Sequence, residues 1–163
     1  MVQSDVEQLV RQCVLNELGA MLLYTRLADR VSSPDAQRVL RMLAAAEEGH
    51  IGKLTEMVSG LGDEGVRALA KIGFVKALRE EAGKRLDEQM ADLGLSDGAD
   101  AVELLAFAIS TETRAGNHYE RAASEASDPR LRAFFQSLVA EEAGHAVQLE
   151  QVRQMLELSR RPA

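Results

Sequence analysis

The chain has 163 residues, a length typical of one domain with its own hydrophobic core. Its net charge of −7 argues against binding to a nucleic-acid backbone, which requires clustered lysine and arginine. The abundance of Ala, Leu, Glu and Arg, with no Trp, favours helices over strands, so the sequence predicts one all-α domain over residues 1–163.

Three features bear on the location of the protein in the cell. A single cysteine, Cys13, excludes an internal disulfide and fits a reducing compartment. The N-terminal segment has neither the basic start nor the apolar stretch of a secretory signal. The longest apolar run, at 104–109, is far shorter than the roughly 20 residues that span a bilayer. We therefore expect a cytoplasmic protein without a membrane partner.

The first half of the chain has the pattern of a helical hairpin. Apolar residues recur at helical spacing and predict a helix over about 4–31. Ser33 followed by Pro34 is a start signal, because serine can accept hydrogen bonds from free amides and proline is tolerated at the first helical position. The second helix is expected to end at Gly60 or Gly62.

The segment that follows is too long for a turn and has a helical pattern of its own. Its apolar positions are Phe74, Val75, Leu78, Ala82, Leu86, Met90 and Leu93. Its other face has both positively and negatively charged side chains, so we expect an amphipathic crossover helix whose charged face is solvated. A membrane-surface or partner-binding role is the alternative, although a more uniformly basic face would be typical of a membrane-surface helix.

A second hairpin completes the chain. Asp128 and Pro129 repeat the start signal and separate helices over about 98–126 and 129–159. The sequence thus predicts a hairpin over 4–60, a crossover over 61–97 and a hairpin over 98–159.

The two hairpins are copies of one pattern. The segment Glu17–Leu54 matches Glu112–Leu149 at a constant shift of 95 without a gap, and 13 of the 38 aligned positions are identical. The identical pairs include two glutamates, a histidine, a proline and the only two tyrosines of the chain, Tyr24 and Tyr119.

The repeat places candidate metal ligands at one level of the bundle. Glu17 precedes the first turn by about as many residues as Glu47 follows it, so antiparallel helices bring the two carboxylates together. Residues three apart share a helix face, as in the two Glu-x-x-His motifs. The candidate ligands are Glu17, Glu47, His50, Glu112, Glu142 and His145.

Four buried carboxylates without a counter-charge would repel one another strongly. Two divalent cations cancel their charge, and an imidazole nitrogen suits iron, manganese or zinc. The pattern therefore favours a pair of redox metals.

Other polar residues have weaker patterns. Tyr24 and Tyr119 share the face of Glu17 and Glu112, and are either core aromatics or hydrogen-bond donors to the ligand carboxylates. The helical angle turns Glu48 and Glu141 away from the ligand faces, so we expect both to be solvated. By the same angle His118 is not expected to be a ligand, and Glu120 lies either beside the site or at the surface. Cys13 is expected to pack as a small apolar residue, with a redox role as the alternative.

Together, the lone glutamates and the paired motifs resemble the ligand pattern of the ferritin-like di-iron carboxylate superfamily. Within it, the chain is most similar to the rubrerythrin family, in a form without the rubredoxin-like domain, which needs four cysteines. The resemblance covers both hairpins. It implies a ferritin-like antiparallel four-helix bundle that binds two iron ions, with manganese or zinc possible after purification.

The resemblance also implies an activity and partners. We expect an oxidoreductase that reduces hydrogen peroxide with electrons from an external donor protein, in a homodimer whose chains could exchange hairpins. The alternatives are an iron-binding ferroxidase that uses oxygen, and a helical interaction protein whose metal is structural or absent.

Two positions depart from related patterns. Rubrerythrins commonly have a further glutamate one turn beyond the third-helix ligand, where this chain has Ala115. Bacterioferritins bind haem through a methionine between the helix-2 glutamate and histidine, where this chain has Glu48 and Gly49. We therefore expect no haem.

Overall fold

The computed structural model describes residues 3–59, 75–95 and 99–160. Within these ranges the chain forms helices and no strands, which confirms the all-α prediction. The helices are α1 (Gln3–Arg30), α2 (Pro34–Ser59), α3 (Val75–Asp92), α4 (Ala101–Glu125) and α5 (Pro129–Ser159). The predicted ends at Gly60 or Gly62, and the first apolar position of the crossover, Phe74, lie outside the described residues.

Four helices form the bundle and the fifth lies on its outside. Helix α1 packs along α2 and α4 along α5, so each predicted hairpin is present. The hairpins meet through contacts of α1 with α4 and of α2 with α5, and α3 packs against α1. This is the predicted four-helix bundle with a crossover helix.

Side-chain caps begin the helices where the sequence predicts them. The Ser33 hydroxyl accepts a hydrogen bond from the Ala36 amide at 3.4 Å, ahead of Pro34 at the start of α2. Asp128 accepts one from the Arg130 amide at 2.8 Å, ahead of Pro129 in α5. Each cap satisfies an amide that lacks a partner within its helix.

Two apolar clusters fill the bundle, one on each side of a polar layer. Along α5, Leu138 belongs to the first cluster and Leu149 to the second, with Glu142 and His145 between them. Along α4, Ala108 and Tyr119 lie on either side of Glu112 in the same way. The clusters therefore exclude water from both sides of the polar layer.

Cys13 lies in the first apolar cluster and is fully buried. Burial, together with the nearby Glu17 carboxyl, raises the pKa of its thiol well above the ordinary value. A buried neutral thiol packs as a small apolar side chain, as the sequence predicts.

No helix among the described residues combines the length and the apolar character needed to cross a bilayer.

We expect Leu149→Ala to lower the free energy of unfolding by about 2–5 kcal/mol, because Leu149 is fully buried and truncation leaves a cavity. Leu158→Ala on the same helix is the matched control, since Leu158 is 61% exposed and its truncation should change the value by less than about 0.5 kcal/mol. Urea denaturation with a chelator present measures both. Equal losses for the two variants would contradict the core described here.

Candidate metal centre

The polar layer consists of six side chains that are all nearly removed from solvent. The exposed fraction is 7% for His145 and 3% or less for the others. These are the buried polar or charged residues found in the described part of the chain: Glu17, Glu47, His50, Glu112, Glu142 and His145. They are the six residues that the sequence pattern singles out, and the structure brings all of them together.

The six side chains form two overlapping groups. One group is Glu17, Glu47, His50 and Glu142, and the other is Glu47, Glu112, Glu142 and His145. Within each group, one potential ligand atom per residue lies within 4.8 Å of the others. Glu47 and Glu142 belong to both groups, which is the arrangement needed for carboxylates that bridge two ions.

The His50 imidazole turns its Nδ1 atom towards the carboxylates. This nitrogen lies 2.9 Å from Glu17 Oε2, 3.1 Å from Glu47 Oε2 and 3.5 Å from Glu142 Oε1. The same nitrogen can thus serve as a ligand to an ion in the first group.

The His145 imidazole repeats this orientation in the second group. Its Nδ1 atom lies 2.8 Å from Glu47 Oε1, 3.3 Å from Glu142 Oε2 and 3.9 Å from Glu112 Oε2. The rings of His50 and His145 stack with centroids 5.4 Å apart and planes 13° from parallel. The two hairpins therefore present their histidines in equivalent ways, as the internal repeat predicts.

Several buried atoms of the layer have no hydrogen-bond partner in the described structure. They are both oxygens of Glu112, Oε1 of Glu47, Oε1 of Glu142 and Nδ1 of His145. Although His145 Nδ1 and Glu47 Oε1 are only 2.8 Å apart, their orientation does not make a hydrogen bond. A buried polar atom without a partner lowers the stability of the fold, and metal ions bound by these oxygen and nitrogen lone pairs would supply the missing partners. Four carboxylates against two divalent ions also balance in charge, so the residues fit a two-metal site.

The pKa shifts of the layer indicate which of its side chains favour the protonated form without metal ions. Burial and the neighbouring Glu142 carboxyl raise the pKa of Glu112 to about 11, and burial raises that of Glu17 well above its ordinary value. Burial also opposes ionisation of Glu47, but the close contacts of its carboxylate with the His145 and His50 imidazoles outweigh burial and hold the pKa of Glu47 at about 2.

The pKa values of the two imidazoles are raised, which favours the positive charge that compensates the ionised Glu47. Burial disfavours the charged ring of His50, yet hydrogen bonds to Glu17 and Glu47 raise its pKa to about 11. For His145, the close Glu142 and Glu47 carboxylates likewise overcome the effect of burial and raise the pKa to about 9. Protons thus supply the positive charge that metal ions would replace, and metal binding would release them.

The hydroxyls of the two tyrosines differ in their contacts within the described structure. The Tyr119 hydroxyl donates to Glu17 Oε1, which is the predicted contact with a candidate ligand. By the repeat, Tyr24 would donate to Glu112, but its buried hydroxyl has no partner in the described structure. The Glu112 carboxyl lies against Glu142 instead, so Tyr24 remains a core aromatic.

The helical angle predicts a solvated Glu141, and the structure adds a contact that this angle does not predict. Its side chain is 37% exposed, but Glu141 Oε2 lies 2.8 Å from His50 Nε2. The helical angle places Glu141 off the face of its own helix, and the sequence gives no sign that His50 reaches it from α2. Glu48 and Glu120 are exposed, and His118 lies outside both groups, 3.9 Å from the Cys13 sulfur.

A cavity of about 280 Å³ leads to the carboxylates beside α3. The four glutamates of the layer line its inner part, and small side chains leave it open: Gly19, Ala20 and Ala115. Its remaining polar lining comes from α1, α3 and α4: Gln12, Asn16, Arg85, Gln89, Thr111, Arg114 and His118. A small polar molecule could therefore reach the candidate metal positions.

Comparisons with known proteins bear on the family and the fold. A family model described as Rubrerythrin matches residues 9–153. Among solved structures, a two-domain protein from Anabaena variabilis with DJ-1/ThiJ/PfpI-like and ferritin-like domains matches with a TM-score of 0.70 and 12% identity. The match covers 100% of this chain and 42% of that one, and shows the fold alone. No curated protein is significantly similar in sequence.

We expect the metal-free protein to lose stability as the pH rises from 5 to 9. Folding raises the pKa of Glu17 and Glu112 above 4.5, so the folded state keeps protons that the unfolded chain has released. His50 and His145 act in the same direction, because their stabilisation is complete below pH 6.5 and is lost as the pH rises through their pKa values of about 11 and about 9, respectively. His118, whose pKa burial lowers, opposes this trend around pH 6.5.

Thermal unfolding midpoints at pH 5, 7 and 9, measured with a chelator present, test this expectation. Glu112→Gln is the control, because it removes one of the shifted groups and should reduce the fall. A midpoint that stays constant or rises over this range would contradict the proton positions described above.

Proposed function

The chain belongs to the rubrerythrin family, and from this premise we propose that it is a di-iron oxidoreductase that reduces hydrogen peroxide with electrons from a separate donor. The two overlapping ligand groups that share Glu47 and Glu142 carry the proposal. Two electrons and two protons convert one peroxide molecule into two water molecules. Two adjacent metal ions that each change oxidation state by one match this requirement.

In the proposed site, Glu17 and His50 would hold one ion, Glu112 and His145 would hold the other, and Glu47 and Glu142 would contribute to both. When bound, the iron pair would supply the two electrons for cleavage of the peroxide O–O bond. Zinc has no redox chemistry and could not do so. The Tyr119 hydroxyl holds the Glu17 carboxyl in place, and apolar clusters on both sides exclude bulk water.

The access route supports a small oxidant. The cavity reaches the carboxylates of both groups and is open where Gly19, Ala20 and Ala115 contribute little side-chain volume. Its polar lining can form hydrogen bonds with peroxide and with water.

An external electron donor is proposed because the chain has a single cysteine, which is buried, and so cannot build a cysteine-bound iron centre of its own. A homodimer and a cytoplasmic location remain proposals that follow from the family and from the sequence.

The second candidate function is that of an oxygen-dependent ferroxidase. Ala115 favours it, because it stands where rubrerythrins commonly have a further glutamate, and leaves a site of four glutamates and two histidines. In this function ferric iron would be passed on after oxidation.

Metal stoichiometry tests the ligand assignment. We expect wild-type protein to bind two ferrous ions, and Glu112→Ala to bind one, because only the second group loses a ligand. The double variant Glu47→Ala with Glu142→Ala should bind none tightly, since each group then keeps two donors. Removal of two buried carboxylates lowers the free-energy cost of burying charge, so the double variant should still fold.

Anaerobic titration followed by metal analysis measures these ratios. Glu48→Ala is the matched control, because Glu48 is an exposed neighbour of Glu47 and should leave two ions bound. Two ions retained by the double variant would refute the assignment.

The oxidant distinguishes the two functions. We expect stopped-flow mixing of the ferrous protein to give faster oxidation with hydrogen peroxide than with oxygen at equal concentrations. Ala115→Leu should slow the oxidation of the ferrous protein by peroxide without changing its iron content, because the larger side chain fills the cavity. Ala106→Leu on the exposed face of α4 is its control. Much faster oxidation by oxygen would reject the peroxidase and favour the ferroxidase.

A further inference from the structure

We propose that Glu141 makes the two metal positions unequal, so that the ion bound by His50 is held tightly and the ion bound by His145 is exchangeable. This inference rests on the proposed two-metal function and adds to it the order in which the positions fill and empty. It concerns one polar contact that the internal repeat does not duplicate.

The contact joins a candidate ligand on α2 to a carboxylate on α5. His50 directs Nδ1 towards Glu17, Glu47 and Glu142, and its other nitrogen, Nε2, lies 2.8 Å from Glu141 Oε2. With Nδ1 serving as the ligand, Nε2 carries the proton and donates it to Glu141.

Lys53 fixes the Glu141 carboxylate in turn. Its ammonium group lies 2.9 Å from Oε2 and 3.2 Å from Oε1 of Glu141. His50 is buried, whereas Lys53 and Glu141 lie at the protein surface with 53% and 37% of their side chains exposed. A chain of hydrogen bonds therefore runs from the surface to the back of the buried imidazole.

A carboxylate behind a metal-bound imidazole strengthens the metal site in two ways. It fixes the tautomer and the orientation of the ring, and it makes the ligating nitrogen a better electron donor. Loss of such a partner typically weakens metal binding by about 10- to 100-fold. Glu141 should therefore tighten binding at the first group.

The second group lacks the equivalent contact. The shift of 95 pairs Glu141 with Ala46, whose methyl group cannot accept a hydrogen bond, and pairs Lys53 with Gln148. Among the described residues, the carboxylates within 4.0 Å of the His145 imidazole are those of Glu47, Glu112 and Glu142, and each is in contact with Nδ1. The side-chain oxygen of Gln148 is buried and has no partner in the described structure. Within the described ranges, no counterpart of Glu141 therefore contacts the His145 imidazole.

The types of ligand do not differ between the groups, because each has one histidine, one terminal glutamate and the two shared glutamates. The first group has two further contacts that the second lacks among the described residues, from Glu141 to His50 and from Tyr119 to Glu17. Replacement of Glu141 alone isolates the contribution of the residue behind the imidazole.

An anaerobic competition titration with Co²⁺ and a chromophoric chelator tests the inference without any measurement of activity. We expect two dissociation constants in the wild type, separated by about 10-fold or more. Glu141→Ala should weaken the tighter site by about 10- to 100-fold, leave the weaker one nearly unchanged, and shift the Co²⁺ absorption bands of the first equivalent. Glu48→Ala is the matched control and should change neither constant.

Two further variants separate the imidazole contact from a surface ion pair. Lys53→Met removes the ion pair but keeps the Glu141–His50 hydrogen bond, so it should have a smaller effect than Glu141→Ala. Ala46→Glu supplies the missing carboxylate behind His145 and should tighten the weaker site in the wild-type background.

The outcomes distinguish this inference from the proposed function. Two Co²⁺ ions bound with one shared affinity, or two constants that Glu141→Ala leaves unchanged, would overturn the inference and leave the two-metal site intact. Weakening of the second equivalent alone would also overturn it. A wild-type protein that binds neither Co²⁺ nor Fe²⁺ would reject the proposed function and the inference together.

Discussion

Four carboxylates share the interior of an apolar bundle, and this concentration of negative charge needs a counter-charge. In the absence of ions, protons held by Glu17, Glu112 and the two imidazoles provide it. In the proposed function two divalent cations provide it instead. The apolar clusters on both sides of the layer make the requirement strict, because little water is available to screen the charges.

The same constraint explains why each helix of the bundle contributes to one level. Glu17 and Glu112 come from α1 and α4, and each of α2 and α5 adds a glutamate and a histidine one turn apart. Rigid helices fix the spacing of these side chains better than loops would, because their backbone hydrogen bonds are internal. The cavity beside α3 then connects this level to the surface.

The sequence predicts the helices, the hairpins and the six polar residues of the layer. Helical periodicity can be recognised within a single helix, and the constant shift of 95 relates one hairpin to the other. It does not predict contacts across the bundle that the repeat fails to duplicate. Helical angles measured on α5 place Glu141 in solvent, whereas His50 of α2 determines its partner. Likewise, the repeat makes Tyr24 and Tyr119 equivalent, but the position of the Glu112 carboxyl leaves Tyr24 without a partner in the described structure.

Each ligand group takes three residues from one hairpin and one from the other. Two identical hairpins could therefore build the same pair of sites by association, with one gene encoding both halves. Such a symmetric assembly would have the same residue behind both imidazoles. Because both hairpins belong to one chain here, position 46 can be alanine while position 141 is glutamate. Because the halves are linked in one chain, a mutation can change the surroundings of one metal position without changing those of the other.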